Sequence, residues 1–230
     1  MFWLLRCTAT VVLVSVLCAL IAGTLESQKG CCLLRIDREN QRIGLRDSAR
    51  KRIPFLVERK GADGRITCER MDWLPVCTKA VRFVSPEGPA IPNDAYGKYC
   101  EIPPADGKDG RFYKVGPIEE IPAGSLVFGF YKIRLTGPPG DLHGRSGLLI
   151  HGGGKSLPNP LADFQNWQCT HGCVRMQNAH LKALVEALRA LPRGSEVRLI
   201  IDAGKCKLND ITAETYRWDE EAENWVMLGG

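Results

Sequence analysis

Two histidines and a cysteine lie close together in residues 147–176, in a pattern that could activate a thiol. An apolar run ends at His151, three glycines follow, and nineteen residues separate His151 from His171. Gly172 and Cys173 come directly after His171. A cysteine beside one histidine and within reach of a second can attack an acyl carbon and hold it as a thioester. The stretch therefore predicts covalent acyl-transfer chemistry at Cys173.

Each part of such a reaction has a candidate here. Cys173 would supply the thiolate, whose pKa of about 8.5 in a free cysteine must fall for it to form near neutral pH. His151, at the end of a predicted strand, is the candidate base. The backbone N–H groups of Gly172 and Cys173 could point at a developing oxyanion. Arg175 could hold a substrate carboxylate through two parallel hydrogen bonds.

The same side chains allow a second interpretation, a binding module that is not an enzyme. His151, Cys169, His171 and Cys173 could together hold a metal ion. The other cysteines form no paired C-x-x-C motifs, which argues against structural zinc, and no cofactor is predicted. The remaining histidines are expected to be ordinary surface or core residues: His143 and His180.

The pattern resembles the signature of L,D-transpeptidases of the YkuD type. That signature is His-Gly, a spacer of variable length, then Ser/Thr-His-Gly-Cys, a hydrophobic residue and often Arg. Here it is matched by His151-Gly152 and by residues 170–176, Thr-His-Gly-Cys-Val-Arg-Met. Residues 120–125 are more loosely similar to the start of that domain. The resemblance therefore covers about residues 112–202.

The resemblance implies a mainly β fold with one or two helices, an L,D-transpeptidase-like β-sandwich or barrel behind an N-terminal apolar segment. It implies that Cys173 is the acylated nucleophile, that His151 is the general base and that His171 shapes the pocket and the field at the thiolate. The residues that would line the substrate site are Thr170, Arg175, Gly152 and Gly153.

The substrate that the resemblance implies is a peptidoglycan stem peptide. The thiolate would attack the carbonyl on the L-side of an L,D bond, release the terminal D-residue and leave a thioester. An amine acceptor would then resolve the thioester: a neighbouring stem, a lipoprotein lysine or a D-amino acid. Water in place of the amine would make the protein an L,D-carboxypeptidase.

The sequence departs from the family pattern in two places and keeps a further alternative open. Gly153 stands where many relatives have Thr or Ser. Cys169 lies four residues before Cys173, and a disulfide between them would inactivate the enzyme under oxidising conditions. Residues 145–152 also resemble a sister group, type VI secreted L,D-transpeptidase-like toxins. An antibacterial effector that exchanges D-amino acids therefore remains an alternative.

Residues 1–25 indicate a signal peptide or a membrane anchor. Arg6 is the only charged side chain there, and residues 7–25 contain none. That length is long for a signal peptide and just enough to span a bilayer, so a cleaved signal, an anchor and a buried helix all remain open. The cationic residues that follow argue against export by the positive-inside tendency. The chemistry and the ten cysteines nevertheless favour the periplasm or cell envelope of a bacterium, with the protein anchored or secreted.

Eight cysteines lie beyond the apolar segment. If Cys173 is a free nucleophile, seven remain, so at least one more thiol should be unpaired or joined to another chain. Adjacent Cys31 and Cys32 are the expected place for it. The disulfide connectivity stays open.

The chain divides into four predicted regions. Residues 1–25 are the apolar segment, 26–100 an N-terminal region of unknown role, 101–210 the catalytic domain and 211–230 a C-terminal hairpin. The many Arg and Lys of residues 26–60 predict a solvated juxtamembrane stretch, partly helical or with a short strand, rather than a contact with an anionic polymer. The net charge of +5 is spread among acidic residues, and no nucleic-acid partner is expected.

Apolar periodicity predicts the main elements of the catalytic region. A helix is expected over 178–191, where Pro192 and Gly194 end it. Strands are expected over 65–69, 80–84, 112–115, 125–135, 146–150 and 195–202, with a hairpin formed by 216–218 and 224–228.

Overall fold

The protein is mainly β, as the sequence predicts, with one α-helix in the part of the chain that the computed structural model describes. That part comprises residues 30–78, 102–137, 147–167, 170, 172–204, 216–219 and 221–227. Its strands and helix are, in chain order, β1 Cys31–Asp37, β2 Arg42–Arg46, β3 Arg52–Ile53, β4 Phe55–Lys60, β5 Ile66–Met71, β6 Leu74–Pro75, β7 Tyr113–Ser125, β8 Gly129–Thr136, β9 Leu149–His151, β10 Val174–Arg175, α1 Asn178–Arg189, β11 Glu196–Ile201, β12 Tyr216–Asp219 and β13 Asn224–Met227.

Most of these strands form one sheet that closes on itself. The order in the sheet is β10-β9-β8-β7-β11-β1-β2-β3, and β6 also pairs with β2. Two residues after β6, Cys77 exchanges both backbone hydrogen bonds with Arg175 of β10, at 2.8 and 2.9 Å. The path that starts at β10 therefore returns to β10, which gives the sheet a barrel-like closure.

The inner face of this sheet carries the core. Successive residues of a strand point to opposite faces, so alternate positions of each strand are buried. In β1, Leu34 and Ile36 are completely buried, whereas Arg35 between them is exposed. The same inner face continues through other strands with a set of buried aliphatic side chains: Ile43, Leu45, Ile133, Ile150, Val174, Leu199 and Ile201.

The prediction of a solvated stretch over residues 26–60 is wrong for the strands β1 to β4. β1 lies inside the sheet, parallel to β11 on one side and antiparallel to β2 on the other. The arginines of this stretch occupy the outer face, while the aliphatic residues between them fill the core. Strands of the regions 26–100 and 101–210 thus share one sheet. The proposed boundary at residue 100 falls outside the described residues and stays a prediction.

Helix α1 begins five residues after Cys173 and packs against β4 and β8. Its apolar face is buried through Leu181, Leu184 and Val185, as the 3.6-residue periodicity predicts. The helix ends at Arg189 rather than at residue 191. The helix therefore packs against the β4–β5 hairpin through β4 and against the main sheet through β8.

The other strand predictions have mixed outcomes. The strands near 65–69 and 195–202 and the C-terminal hairpin are confirmed, and the short strand expected at 112–115 extends to Ser125. The strand expected over 125–135 is wrong in its first residues, because 126–128 form a turn and β8 begins at Gly129 with φ of 71°. Residues 80–84 lie outside the described part. Within that part, no helix is long and apolar enough to cross a membrane.

Candidate active site

His151 is the last residue of β9 and lies between β8 and β10. Lys132 is its neighbour in the β8 register and Arg175 in the β10 register. The side chain is 6% exposed, and the Phe128 ring packs edge-on against it with 5.5 Å between ring centroids. The imidazole is thus held in a closed position at a strand end, as the sequence predicts for its location.

The hydrogen bonding of His151 defines which ring nitrogen can act as a base. Nδ1 lies 2.7 Å from the carbonyl oxygen of Gly152, which can only accept, so Nδ1 carries a proton. Burial lowers the pKa of His151 to about 4 and the Arg175 charge adds to this, while backbone contacts with Gly152 and Val127 oppose it. The ring is therefore neutral at pH 7, and Nε2 keeps the lone pair that accepts a proton.

Cys173 is partly exposed and directly precedes β10. Val174 pairs with Ile150 in parallel register, so one residue earlier Cys173 is level with Leu149. Because side chains alternate along a strand, Cys173 and His151 are expected on the same face, as diagonal neighbours across the β9–β10 pair. The Cys173 thiol lies 4.0 Å from the Gly147 carbonyl oxygen, at the start of the β9 segment.

Thr170 and Gly172 form a tight turn that presents Cys173. The buried Thr170 hydroxyl accepts a hydrogen bond from the Gly172 N–H at 3.1 Å and donates one to the Cys173 carbonyl at 2.7 Å. Gly172 has φ of 107°, which a side chain would strain. In this structure the Gly172 N–H donates to Thr170, and the role of the Gly172 and Cys173 N–H groups towards an oxyanion stays a prediction. Thr170 fixes the turn.

Arg175 is 3% exposed and projects beside the glycines that follow His151. A Cβ added to Gly154 would fall 1.9 Å from Nη2 of Arg175, so the guanidinium lies directly on the Gly154 backbone. Its own backbone is held on both sides, by β9 and by Cys77. A cation fixed in this way can form the bidentate contact with a carboxylate that the sequence predicts.

The glycines after His151 are required by close backbone packing. The N–H groups of Gly152 and Gly154 donate to the carbonyls of Phe128 and Leu126 at 3.0 and 2.7 Å. Gly153 has φ of 62°, and a Cβ there would lie 2.4 Å from the Gly129 nitrogen. A threonine or serine at position 153 cannot fit this turn, which explains why the chain departs from the family pattern there.

Asn178, which sequence reasoning missed, joins the parts of the site. Its Oδ1 accepts from the Gly153 N–H at 3.1 Å. Its Nδ2 donates to the carbonyls of Pro160 and Ala162 at 3.1 and 2.8 Å. The side chain is 4% exposed and stands at the first position of α1. A signal was present, since an asparagine at a helix start often bonds to nearby backbone groups.

The loop 155–167 between the two catalytic motifs covers the start of α1. The Asp163 carbonyl accepts from the Ala179 N–H at 3.0 Å, and the Gln165 carbonyl accepts from Gln177 Nε2 at 3.0 Å. The Asp163 carbonyl thus satisfies a backbone N–H that a helix start leaves without a partner, and the Gln165 carbonyl binds the side chain of the residue before the helix. The loop, the helix and the glycine turn therefore behave as one packed unit around His151.

Several predicted site residues lie outside the described part of the chain. They include His171 and Cys169, so the role of the former and a disulfide of the latter with Cys173 stay predictions. The metal-binding alternative needs both residues and is likewise open. Among the residues that the structure describes, no three His, Cys, Asp or Glu side chains gather as a metal site would require. In the described part of the chain, Cys31, Cys32 and Cys68 are free thiols and form no disulfide.

Comparison with known proteins agrees with the geometry. The model of the YkuD family, described as the L,D-transpeptidase catalytic domain, matches residues 64–199. This range includes β5 to β10, α1 and most of β11, while β1 to β4 lie outside it but in part share the same sheet. No curated protein and no solved structure matches the chain. The match covers more than half of the sequence, and the chain belongs to the YkuD family of L,D-transpeptidase catalytic domains.

Proposed function

We propose that this protein is a cysteine L,D-transpeptidase that modifies peptidoglycan stem peptides. The observation that carries the proposal is the β9–β10 register, which brings the strand end at His151 beside the turn that presents Cys173. Family membership supports the reaction class. Arg175, buried at the same register position as His151, supplies the cation that a peptide carboxylate requires.

The proposed reaction proceeds through a thioester. Nε2 of His151 accepts the thiol proton, and the Cys173 sulfur attacks the carbonyl carbon on the L-side of the L,D peptide bond. The C–N bond breaks, and His151 returns the proton to the nitrogen of the departing D-residue. An acceptor amine then attacks the thioester, forms a new amide and gives its proton to His151, which returns it to the Cys173 sulfur.

The finer assignments are part of the same proposal. The acceptor is an amine from a neighbouring stem peptide, a lipoprotein lysine or a free D-amino acid, and water would give a carboxypeptidase instead. The protein would act in the periplasm or cell envelope of a bacterium, where residues 1–25 would serve as an export signal or anchor. The absence of charge over residues 7–25 and the ten cysteines of the chain support that location.

Mass spectrometry of the full chain incubated with a disaccharide-tetrapeptide tests the proposal. We expect an acyl adduct on Cys173, release of the terminal D-residue, and cross-linked dimers when the fragment is also the acceptor. Cys173→Ala should abolish all three, and His151→Ala nearly so, because proton transfer contributes factors of about 10²–10⁴. Cys68→Ala, which removes an exposed thiol elsewhere, is the matched control.

The possible outcomes separate the candidate functions. Tripeptides without dimers would identify a carboxypeptidase, and exchanged D-residues would identify the effector-like activity. Full turnover by Cys173→Ala would contradict the mechanism. Stoichiometric zinc that disappears in Cys173→Ala, together with no adduct in the parent protein, would replace the enzyme with a metal-binding module.

A further inference from the structure

One row of residues across the outer face of the sheet carries four cations and no acid. The paired positions Lys114–Arg198, Arg198–Leu33, Leu33–Arg46 and Arg46–Arg52 connect β7, β11, β1, β2 and β3. We call these five residues the basic row. Neighbouring strands are about 4.8 Å apart, so the basic row is about 19 Å long.

The basic row is electrostatically unfavourable for the isolated protein. Like charges directly opposite each other in a sheet destabilise it, and Lys114–Arg198 and Arg46–Arg52 are two such pairs. Flanking acids compensate only in part. Glu196 contacts Arg198 and Asp72 contacts Arg52, both at 3.0 Å, and the two arginine side chains remain 40% and 46% exposed. Lys114 is also exposed. A net positive charge is therefore presented to solvent along the row.

The basic row lies on the same face of the sheet as His151. Lys114 pairs with Thr136 of β8, and alternate residues of β8, which share that face, are Arg134 and Lys132. Lys132 is level with His151 in the neighbouring strand. Arg134 is exposed, while Lys132 contacts Glu119 at 2.7 Å. Cationic side chains thus continue from the strand beside His151 to the basic row.

We propose that the basic row binds an anionic stretch of the polymer whose stem peptide occupies the active site. This inference rests on the proposed function, because a stem peptide is attached to a chain that bears further carboxylates at intervals. A carboxylate on a neighbouring stem would contact Lys114, Arg46 or Arg52 while the reacting stem reaches Cys173. A second contact on the same polymer raises the local concentration of the reacting stem at the site.

The closure of the sheet favours a flexible polymer over a lipid surface. Four of the five strands of the basic row, β7, β11, β1 and β2, lie on the sheet path that returns to its start through β6 and Cys77. A row on such a curved wall cannot meet a flat bilayer along its whole length, whereas a linear chain can follow it. The polymer is therefore the partner to which we assign this surface.

Neutralisation of three cations of the basic row tests the assignment in the full chain kept in detergent. The variant R46Q/R52Q/K114Q removes three charges of the basic row and leaves Arg198, which also stacks on Phe112. The matched control K60Q/R65Q/R70Q removes three exposed charges from the β4–β5 hairpin. Two quantities are measured: co-sedimentation with insoluble peptidoglycan, and the ratio of turnover on that polymer to turnover on a disaccharide-tetrapeptide.

We expect the basic-row variant to lose about tenfold in both quantities, since each exposed charge contact contributes a factor of about two. The control variant should stay within about twofold of the parent. Raising the salt concentration should reduce polymer binding by the parent more than by the basic-row variant. Turnover of the disaccharide-tetrapeptide also reports whether each variant is folded.

Three results would contradict either the assignment of the basic row or the proposed function. Equal values for the two triple variants would overturn the assignment. So would a basic-row variant that keeps its polymer binding but loses a preference for mixed micelles of the detergent with anionic over zwitterionic lipid, since the surface would then serve lipid. A parent protein that binds the polymer through the basic row but does not process the disaccharide-tetrapeptide would refute the proposed function and leave polymer binding standing.

Discussion

Replacement of Asn178 by alanine should loosen the whole unit around His151. The side chain accepts one hydrogen bond from the Gly153 N–H and donates two, to the carbonyls of Pro160 and Ala162. Alanine removes all three and leaves space that the surrounding backbone already encloses, since a Cβ on Gly152 would lie 2.1 Å from the Asn178 oxygen. Water has little access at a position that is 4% exposed.

The magnitude follows from the three lost bonds. Each buried hydrogen bond contributes about 1 kcal/mol to the free energy of unfolding, and a buried group left without a partner costs about that or more. Asn178→Ala should therefore lower the free energy of unfolding by about 3 kcal/mol. For a protein of this size, 1 kcal/mol shifts the melting temperature by about 2–4 °C, so a fall of about 6–12 °C is expected.

Thermal and urea unfolding measure this loss, with Gln177→Ala as the matched control. Gln177 is the preceding residue, is less buried, and donates one hydrogen bond, to the Gln165 carbonyl at 3.0 Å. Its variant should lose about 1 kcal/mol or less. Hydrogen exchange at the Gly153 amide should speed up in Asn178→Ala but not in the control. Equal stability of the two variants would refute the view that Asn178 joins the loop, helix and glycine turn.

Two further predictions concern the same site. Gly153→Ala should lower the free energy of unfolding in urea by more than about 2 kcal/mol, because the added Cβ would collide with backbone atoms. Gly147→Ala is the control, because φ is also positive there, at 76°, but no atom lies within 4 Å of the added Cβ. It should show only the conformational cost of about 1 kcal/mol. Stability should fall as pH drops from 6.5 towards 4, because the unfolded state binds a proton that folded His151, with its pKa of about 4, does not. Burial also lowers the pKa of His180, to about 3, so His180 contributes to the same loss. His151 should account for about 3 kcal/mol of the fall, and a His151→Gln variant whose stability has the same pH dependence as the parent would contradict this.

The sequence predicts those features that depend on neighbouring residues in the chain. Cys173 and His151 stand in a motif of adjacent residues, and α1 shows an apolar stripe that needs no partner to be recognised. The first strands were missed for a physical reason. In β1, arginine and aspartate on the outer face alternate with buried aliphatic residues, and the charge density of the stretch obscured this two-residue period.

Long-range contacts account for the rest of what could not be predicted. β1 pairs in parallel with β11, whose residues lie about 165 positions later in the chain. A local sequence pattern cannot predict such a pairing. The bond of Asn178 to Gly153 spans 25 positions and joins a side chain to a backbone amide. The capture of the Gly172 N–H by Thr170 is local, yet hydroxyl direction cannot be read from residue types.

The N-terminal strands change how the site should be understood. β10 has two residues and pairs with β9 on only one side, which is little to fix the backbone of Arg175. Cys77 adds two backbone hydrogen bonds on the other side. The segment that carries Cys77 is in turn held through β6 by β2, which lies in the region predicted as a solvated juxtamembrane stretch. The position of the cation beside His151 therefore depends on strands that lie before the two sequence motifs, so those strands help to position the candidate active site.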